Sequence, residues 1–434
     1  MKATIFALSS APGRAGVAVV RVSGPAAGAV AQSLCGPLPA PRKAALRTLT
    51  GAGATPIDAA LVLWFPGPAS FTGEDVVEFH VHGGRAVVEA LLGEIGVLAG
   101  TRPAEPGEFT RRAVENGKLD LTQAEALIDL IDAETEGQRG QALRQYGGAL
   151  GDIYEVWRER LVRALAWAEA EIDFADDELP GDVRDRIRAQ VSDIEREIET
   201  HLADGRRGEI VRDGLFLTVI GPPNAGKSSL INMLAKRDVA IVAETAGTTR
   251  DIIEVRLDIG GYLVVASDTA GLRETADAVE SEGVRRALKR AEQSDLVLML
   301  LDGSTERPSE GLPVGAVEQA DLVVWNKADL GGVHAGLNIS LKTGEGVGKL
   351  LEEIGKIVAL RLAIEGEAAI VTRARHRRAL GEAVASLDRA LEAPESELFA
   401  EDLRLAVRAI GRITGRVDVE DLLEIVFRDF CIGK

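Results

Sequence analysis

The sequence predicts a multidomain α/β chain. An α+β N-terminal domain is followed by an α-helical central and C-terminal domain, into which a doubly wound P-loop domain is inserted. Three observations predict this. The chain has 434 residues, 46% hydrophobic and 27% charged, the composition of a folded protein of about three domains. Its patterning runs from short apolar stretches to long charged-apolar periodicity, then to strand–loop–helix alternation, and back to helix. A phosphate-loop motif stands at the head of the alternating stretch.

Composition also excludes some classes. Aromatic residues are 4%, so the cores must be built mainly from Ala, Val, Leu and Ile. No apolar run approaches the ~20 residues of a membrane-spanning helix, and the apolar stretch at Met1–Phe6 is shorter than the ~7–15 residues of a signal-peptide core. Cys35 and Cys431 are the two cysteines, too few for a disulfide framework or a Cys-rich zinc module. The expectation is a cytoplasmic protein without membrane association. With 50 Lys and Arg against 68 Asp and Glu the formal net charge is −18. Residues 1–118 hold 11 basic and 9 acidic side chains, so the acid excess lies beyond them. Any nucleic-acid surface must therefore be a local patch.

In chain order, residues 1–118 form the first domain. Gly16–Arg21 and Ala60–Phe65 read as strands, and Val87–Ile95 as a helix. Residues 119–214 form the first part of the helical domain, where Gln123–Asp132 and Ile187–Leu202 carry helical periodicity with almost no proline. Residues 215–371 form the inserted domain. Its apolar runs Leu215–Ile220, Leu263–Ala266, Leu296–Leu301 and Leu322–Trp325 each end where a loop with Asp, Asn or Gly begins. That places the chemistry at the strand ends of a parallel sheet. Residues 372–434 form the second part of the helical domain, with helices expected over Ala379–Leu391 and Glu401–Phe430.

Gly221-Pro-Pro-Asn-Ala-Gly-Lys-Ser228 matches the phosphate-loop pattern between a strand and a helix. Its backbone N–H groups and the helix N-terminus favour phosphate. The binding set runs Asn224, Ala225, Gly226, Lys227, Ser228 and Ser229. Lys227 neutralises the β- and γ-phosphates and Ser228 offers a hydroxyl to Mg²⁺. Asp268-Thr269-Ala270-Gly271 follows a strand and brings a carboxylate to the metal and an N–H to the γ-phosphate. Asn326-Lys327-Ala-Asp329 follows another. Asp329 accepts two hydrogen bonds from a guanine edge that adenine does not offer, and an unpaired buried acceptor costs about 1–3 kcal/mol. Thr248 and Thr249 in Ala246–Arg250 stand where a loop adds a second hydroxyl to Mg²⁺. These elements in this order predict a GTPase.

The hydrolytic machinery is less ordinary. Leu272 occupies the position where a Gln would orient the attacking water, leaving Glu280, Glu282 and Arg273 as candidates. Asn224 either helps hold a monovalent cation beside the β–γ bridge, in place of an arginine finger, or caps the loop.

Four further segments stand outside these motifs: Pro68–Gly84, Arg102–Thr110, Asn116–Glu125 and Phe430-Cys-Ile-Gly-Lys434. With them, end to end and in domain order, the chain resembles the MnmE (TrmE) family of tRNA-modifying GTPases. The resemblance implies a tetrahydrofolate-binding-like N-terminal domain that builds a homodimer. It also implies an FAD-containing partner, MnmG (GidA), and modification of C5 of a tRNA wobble uridine with an aminomethyl or carboxymethylaminomethyl group. The carbon comes from 5,10-methylenetetrahydrofolate, for which 5-formyltetrahydrofolate is an analogue. GTP hydrolysis is K⁺-dependent and proceeds when two G domains dimerise. Residue by residue, Asn224, Thr245 and Thr248 with the backbone at Ala243 fall on the K⁺ site, and Ser228 and Thr249 on the Mg²⁺ site. Glu280 falls on the water-orienting position, and Arg21, Glu78, Lys118 and Lys434 on the folate contacts. One departure is the guanine loop, Ser340-Leu341-Lys342, where a small residue usually precedes the base; guanine affinity is the property it puts in question.

Cys431 reads equally as a nucleophile or local acid beside a one-carbon carrier and as a small packing residue. His80 and His82 are expected on opposite sides of one strand, unable to share a metal; His82, beside Gly83-Gly84, reads either as lining the folate pocket or, more simply, as a packing residue. Arg373–Arg378 and the four-residue spacing of Arg404, Arg408, Arg412 and Arg416 are the basic features available to tRNA phosphates; solvated faces paired with acids are the alternative. The rival to the modification reading is an Era- or EngA-like switch on ribosomal RNA, which needs neither the first domain nor the Cys-Ile-Gly-Lys segment. Replacing Glu280 with Ala should abolish GTP turnover while nucleotide binding, measured by calorimetry, stays intact; unchanged turnover would hand the water to another residue such as Arg273.

Overall fold

The computed structural model describes residues 2–173, 183–241, 254–268, 294–310, 312, 317–318, 320–332, 334–362, 370–417, 423, 426–427, 430 and 432–433. The chain divides into two compact units. One comprises Met1–Ile128, Tyr146–Val191 and Ala385–Lys434, the other Asp129–Gln145 and Ser192–Val384.

In the first unit β1 (Thr4–Leu8), β2 (Ala15–Ser23), β3 (Ala45–Thr50), β4 (Pro56–Phe65), β5 (Val76–Gly83) and β6 (Thr101–Pro103) form one sheet in the order β3-β4-β5-β2-β1-β6. Neighbours are antiparallel except β1 and β6, which run parallel. Alternation sets the faces. Val20 and Val22 of β2 and Val77, Phe79 and Val81 of β5 point inward. There they meet Val30 and Leu34 of α1 (Ala27–Cys35) and Leu91 and Ile95 of α2 (Arg85–Gly96). On the other face Ile5 and Ala7 pack with Phe109 of α3 (Glu108–Glu115).

A buried charge network fastens α3 to the Phe71–Glu74 loop. Arg112 donates to Glu108 Oε1 at 2.8 Å and to Glu74 Oε2 at 2.9 Å. Ser23 Oγ donates to Glu74 at 2.9 Å and shares a 2.7 Å hydrogen bond with Thr72, whose carbonyl accepts from Asn116 Nδ2, also at 2.7 Å. Arg102 grips Glu108 with two nitrogens, at 2.6 and 2.7 Å. Burial alone would raise the Glu108 pKa. Hydrogen bonds from Arg102, the Glu105 N–H and Arg112 outweigh it and lower the pKa from 4.5 to about 2.

The helices of this unit follow the 3.6-residue rule. α4 (Leu121–Ile131) buries Leu121 and Ala124 against Phe427 and Phe430. The chain then runs through α5 (Glu136–Tyr146) into α6 (Ala149–Asp173), which buries Leu150, Tyr154, Trp157, Leu161, Ala164 and Ala168 on one stripe. α7 (Val183–Leu202) buries Ile187 and Val191 in this unit and Ile194 and Ile198 in the second, in the same rhythm. Near the end of the sequence Ile432 bridges Pro106, and the Gly433 carbonyl accepts from Ser9 Oγ at 2.8 Å.

In the second unit α8 (Arg207–Asp213) leads into β7 (Leu215–Ile220) and α9 (Lys227–Leu234). β8 (Glu254–Ile259), β9 (Tyr262–Asp268), β10 (Leu296–Asp302), β11 (Leu322–Asn326) and β12 (Leu337–Asn338) complete a sheet ordered β12-β11-β10-β7-β9-β8. All pairs are parallel except β8 with β9. Continuous burial along β10 is what a parallel sheet covered on both faces requires. Leu217, Val219, Leu298 and Leu300 form its core with Leu230 and Leu234 of α9 and Leu350, Ile354 and Val358 of α10 (Val347–Leu362).

α11 (Ala374–Glu392) contains the expected Ala379–Leu391 helix. The helical pattern expected over Glu401–Phe430, with Gly411 or Gly415 as an early end, is interrupted, and Leu423, Val426 and Phe427 are again helical. α12 (Ser396–Thr414) starts earlier and stops at Gly415, whose φ of 81° ends the helix; Gly411 stays within it.

Arg112→Ala leaves Glu74 without its cation and should lower the stability of the first unit by about 3–5 kcal/mol, read from its urea unfolding transition. Because the folded pKa of Glu108 lies below 4.5, near 2, its contribution is complete above pH 4.5 and lost as pH falls towards 2. An acid titration of the unfolding midpoint should therefore be flatter in Glu108→Gln than in the wild type.

Candidate functional site

The phosphate-loop residues bridge β7 and α9, and their geometry restricts the sequence. A Cβ on Gly221 would sit 2.2 Å from the Leu300 carbonyl oxygen, so the loop passes β10 only as glycine. Asn224 is left-handed, with φ 61°. Lys227 Nζ curls back over its own loop, 2.9 Å from the carbonyls of both Gly221 and Pro222. Ser228 and Ser229 are exposed in the first turn of α9. β9 ends at Asp268, whose backbone pairs in register with Val219 at the same edge of the sheet.

The residues expected to read the base converge on this loop. Asn326, 4% exposed, donates from Nδ2 to the Ala225 carbonyl at 2.7 Å and accepts the Leu341 N–H at Oδ1, 3.2 Å away. Ser340 Oγ donates to Asp329 Oδ1 at 2.7 Å, and Lys342 Nζ stands 4.0 Å from Asp329 Oδ2. The structure thus brings together Asn224 to Ser229, Asn326, Lys327, Asp329 and Ser340 to Lys342.

A residue the sequence reading missed joins them. Lys327 Nζ lies 2.5 Å from Asp302 Oδ2, and the Asp302 carboxylate also accepts from Ser304 N at 2.9 Å and Oγ at 2.6 Å. Burial would raise the Asp302 pKa, but the hydrogen bonds from Lys327 and Ser304 prevail and hold it below the ordinary carboxylate value. Its signal in the sequence was the strand Leu296–Leu301 ending in an acid. The side chain of Asp268, and Ala243, Thr245, Thr248, Thr249, Thr269, Ala270, Gly271, Glu280, Cys431 and Lys434, lie outside the described residues, as do Glu282 and Arg273.

In the first unit Arg21, Glu78 and Lys118 gather at a cleft of 430 Å³ lined by Arg42, Phe65, Phe71, Val76, Glu78 and Lys118. Arg21 donates from Nε to Glu78 Oε1 at 3.0 Å, and its guanidinium lies 5.6 and 5.7 Å from the ring centres of Phe71 and Phe109. A carboxylate, two cations and a flat aromatic wall suit a planar heterocycle bearing acidic groups. Phe71 and Arg42 were not anticipated from the sequence. The cleft uses one face of β5, and here an expectation is corrected. Residues two apart on a strand share a face, so Glu78, His80 and His82 stand on the same side. Each histidine goes to a different carboxylate, His80 to Glu78 at 3.4 Å and His82 to Asp58 at 2.8 Å. Among the described residues no group of three His, Cys, Asp or Glu is placed to hold a metal.

A family model described as the MnmE helical domain matches residues 121–431, and one described as the GTP-binding protein TrmE N-terminus matches residues 4–118. The chain belongs to the MnmE family. A protein of Parvibaculum lavamentivorans named tRNA modification GTPase MnmE is 56% identical over 440 residues, covering 99% of this chain and 100% of that one. One of the same name from Paramagnetospirillum magneticum is 53% identical over 444 residues, covering both chains completely, 100% of each. Among the described residues of this MnmE-family chain no helix is long and apolar enough to cross a membrane.

The two basic features of this MnmE-family chain are largely engaged with acids. Arg373 pairs with Asp129 at 2.6 Å, and Arg377 with Asp204 at 2.7 Å and Glu209 at 3.0 Å. Arg404 pairs with Glu169 at 2.8 Å and also with Glu401. Arg416 stands beyond the end of α12, 4.0 Å from Glu155. Arg378 is exposed.

Proposed function

We propose that this chain is a GTP-hydrolysing enzyme of tRNA modification, acting at C5 of the wobble uridine with MnmG and a tetrahydrofolate-borne carbon. The observation that carries the reading is the buried Asn326, which joins the phosphate loop to the Ser340–Lys342 loop beside Asp329. In this arrangement Asp329, oriented by Ser340, accepts from the N1–H and 2-amino group of guanine. The Leu341 N–H is taken by Asn326, which leaves the Lys342 N–H to meet the guanine oxygen. Lys227 exchanges its two carbonyl partners for the β- and γ-phosphates, so nucleotide binding opens the curled lysine.

Mg²⁺ would be held by Ser228 and Thr249 and would neutralise charge on the phosphates. K⁺ would be held by Asn224, Thr245, Thr248 and the Ala243 carbonyl. The left-handed backbone of Asn224 and the exposed Ser228 hydroxyl are compatible with both. Glu280 would orient the attacking water, and a second copy of the chain would complete the active form. In the N-terminal cleft Glu78 would accept from a pterin N–H edge while Arg21, Lys118 and Lys434 meet the carboxylates. Cys431 would stand near the carried carbon. An Era- or EngA-like switch on ribosomal RNA is less well supported, because the family match extends through residues 4–118.

Asp329→Asn replaces an acceptor with an amide. It should weaken GTP binding by about 100-fold or more and create hydrolysis of xanthosine triphosphate, whose C2 carbonyl accepts from the new amide; unchanged GTP preference would remove Asp329 from base reading. Calorimetric titration of 5-formyltetrahydrofolate should show binding to the full chain, weaker by about 10-fold or more in Glu78→Gln, and lost in a chain ending at Phe430. Absence of binding to the folded full chain would overturn the folate assignment and leave the GTPase standing.

A further inference from the structure

We propose that α5 is the element that carries the state of the nucleotide site into the helical domain, and that it is driven through the turn of the β8–β9 hairpin. The inference rests on the GTPase reading above and adds a transmission route to it.

The hairpin occupies a telling place in the chain. β8 follows residues 242–253, which contain Thr245, Thr248 and Thr249, and β9 runs into Asp268 and residues 269–293, which contain Gly271 and Glu280. Each set of expected nucleotide contacts therefore adjoins one strand of this ribbon in the chain. The ribbon is stiff at its far end. Asp258 pairs with Leu263 and Ile259 with Tyr262, leaving Gly260-Gly261 as a two-residue turn with φ 64° and 82°. Asp258 Oδ1 accepts the Gly261 N–H at 2.9 Å. Paired positive φ values match the twist of a hairpin, and the Asp258 bond fixes the turn to its strand.

That turn is gripped by the N-terminus of α5. The Gly137 N–H, in the helix's first turn and without a partner inside the helix, donates to the Gly261 carbonyl at 2.7 Å. The approach is close enough to demand glycine. A Cβ at position 137 would lie 2.9 Å from that oxygen and 3.1 Å from the Tyr262 ring. Alongside, Arg256 of β8 donates to Glu134 at 2.7 Å.

The rest of α5 is tied to the two places where the chain enters and leaves the inserted domain. Gln138 Nε2 donates to the Arg212 carbonyl at 2.8 Å and Gln141 Nε2 to the Gly208 carbonyl at 2.9 Å, both on the way in. Gln145 Oε1 accepts from Thr372 Oγ1 at 2.9 Å on the way out. Arg212 in turn reaches the Thr372 carbonyl at 3.1 Å. The buried face of α5 is thus three glutamines and Ala142, not an aliphatic stripe. Aliphatic contacts tolerate sliding, whereas buried amide bonds are directional and costly to leave unmade. A helix held this way moves with its partners as a body. From Tyr146 the chain continues into α6.

A transmission element must respond to the ligand and lose that response when the contact is cut. The test is hydrogen–deuterium exchange of the full-length chain, bound to GDP or to a non-hydrolysable GTP analogue, followed on peptides covering 136–146. The expected result is a nucleotide-dependent difference in α5 in the wild type. It should be lost in Gly137→Ala, with GTP hydrolysis unchanged. Glu134→Arg is a milder cut that should reduce the difference, and adding Arg256→Glu to it should restore the difference. Identical exchange in both nucleotide states of the wild type would overturn the inference, as would a full-sized difference persisting in Gly137→Ala. Failure of the wild type to bind either nucleotide would instead overturn the GTPase reading.

Discussion

The nucleotide site depends on one primary amide. Asn326 is almost wholly buried, and its two ends serve different loops, the donor end holding the Ala225 carbonyl and the acceptor end the Leu341 N–H. An amide suits this position because it offers a donor and an acceptor within one rigid plane; a carboxylate would repel the carbonyl and an apolar residue would leave both loops unsatisfied. The consequence is that the phosphate-loop segment and the Ser340–Lys342 loop share one register. Asp302 extends the same logic on the other side, where it holds the Lys327 ammonium at the end of β10.

The N-terminal unit solves a similar problem with charge. The Phe71–Glu74 loop walls the cleft but belongs to no strand, so regular backbone pairing does not fix it. Arg112 and its two glutamates hold it to α3, and Arg21 lies between Phe71 and Phe109 at the cleft's edge. A buried ion network gives orientation more than net stability, since the desolvation of its charges offsets much of their attraction. Orientation is what a binding wall needs.

How much of this was legible in the sequence depended on whether the constraint was local. That Gly221, Lys227, Asn326 and Asp329 gather at one end of the sheet was readable because the motifs set residue types at short spacing right after apolar strands. The alternation of strands and helices in the inserted domain was readable for the same reason, through period. The role of Asp302 was not, since the acid ending its strand does not advertise a partner, and Lys327 lies just past the end of the neighbouring strand β11. Nor was the role of Arg112, which in sequence is one more charge on a short amphipathic helix. The glutamines of α5 were the most deceptive, because three polar residues on a helix look like a solvated face until the carbonyls of Gly208 and Arg212 arrive from elsewhere in the chain. The break at Gly415 was half-legible: either Gly411 or Gly415 offers an end, and only the left-handed backbone at Gly415 decides between them, with helix returning at Leu423, Val426 and Phe427.

The contact between Ser9 and the Gly433 carbonyl joins residues 424 positions apart. The entropic cost of closing so long a loop rises only logarithmically with length, so the tie is thermodynamically tolerable. Its meaning lies in time. A ribosome making this chain at about 5–20 residues per second exposes β1 long before Ile432 and Gly433 exist to meet it. The edge formed by Leu8, Ser9 and Pro106 therefore waits, incomplete, through the synthesis of every other element. A chain whose translation aborts before Ile432 lacks this seam, and Ser9 keeps its hydroxyl without the Gly433 carbonyl.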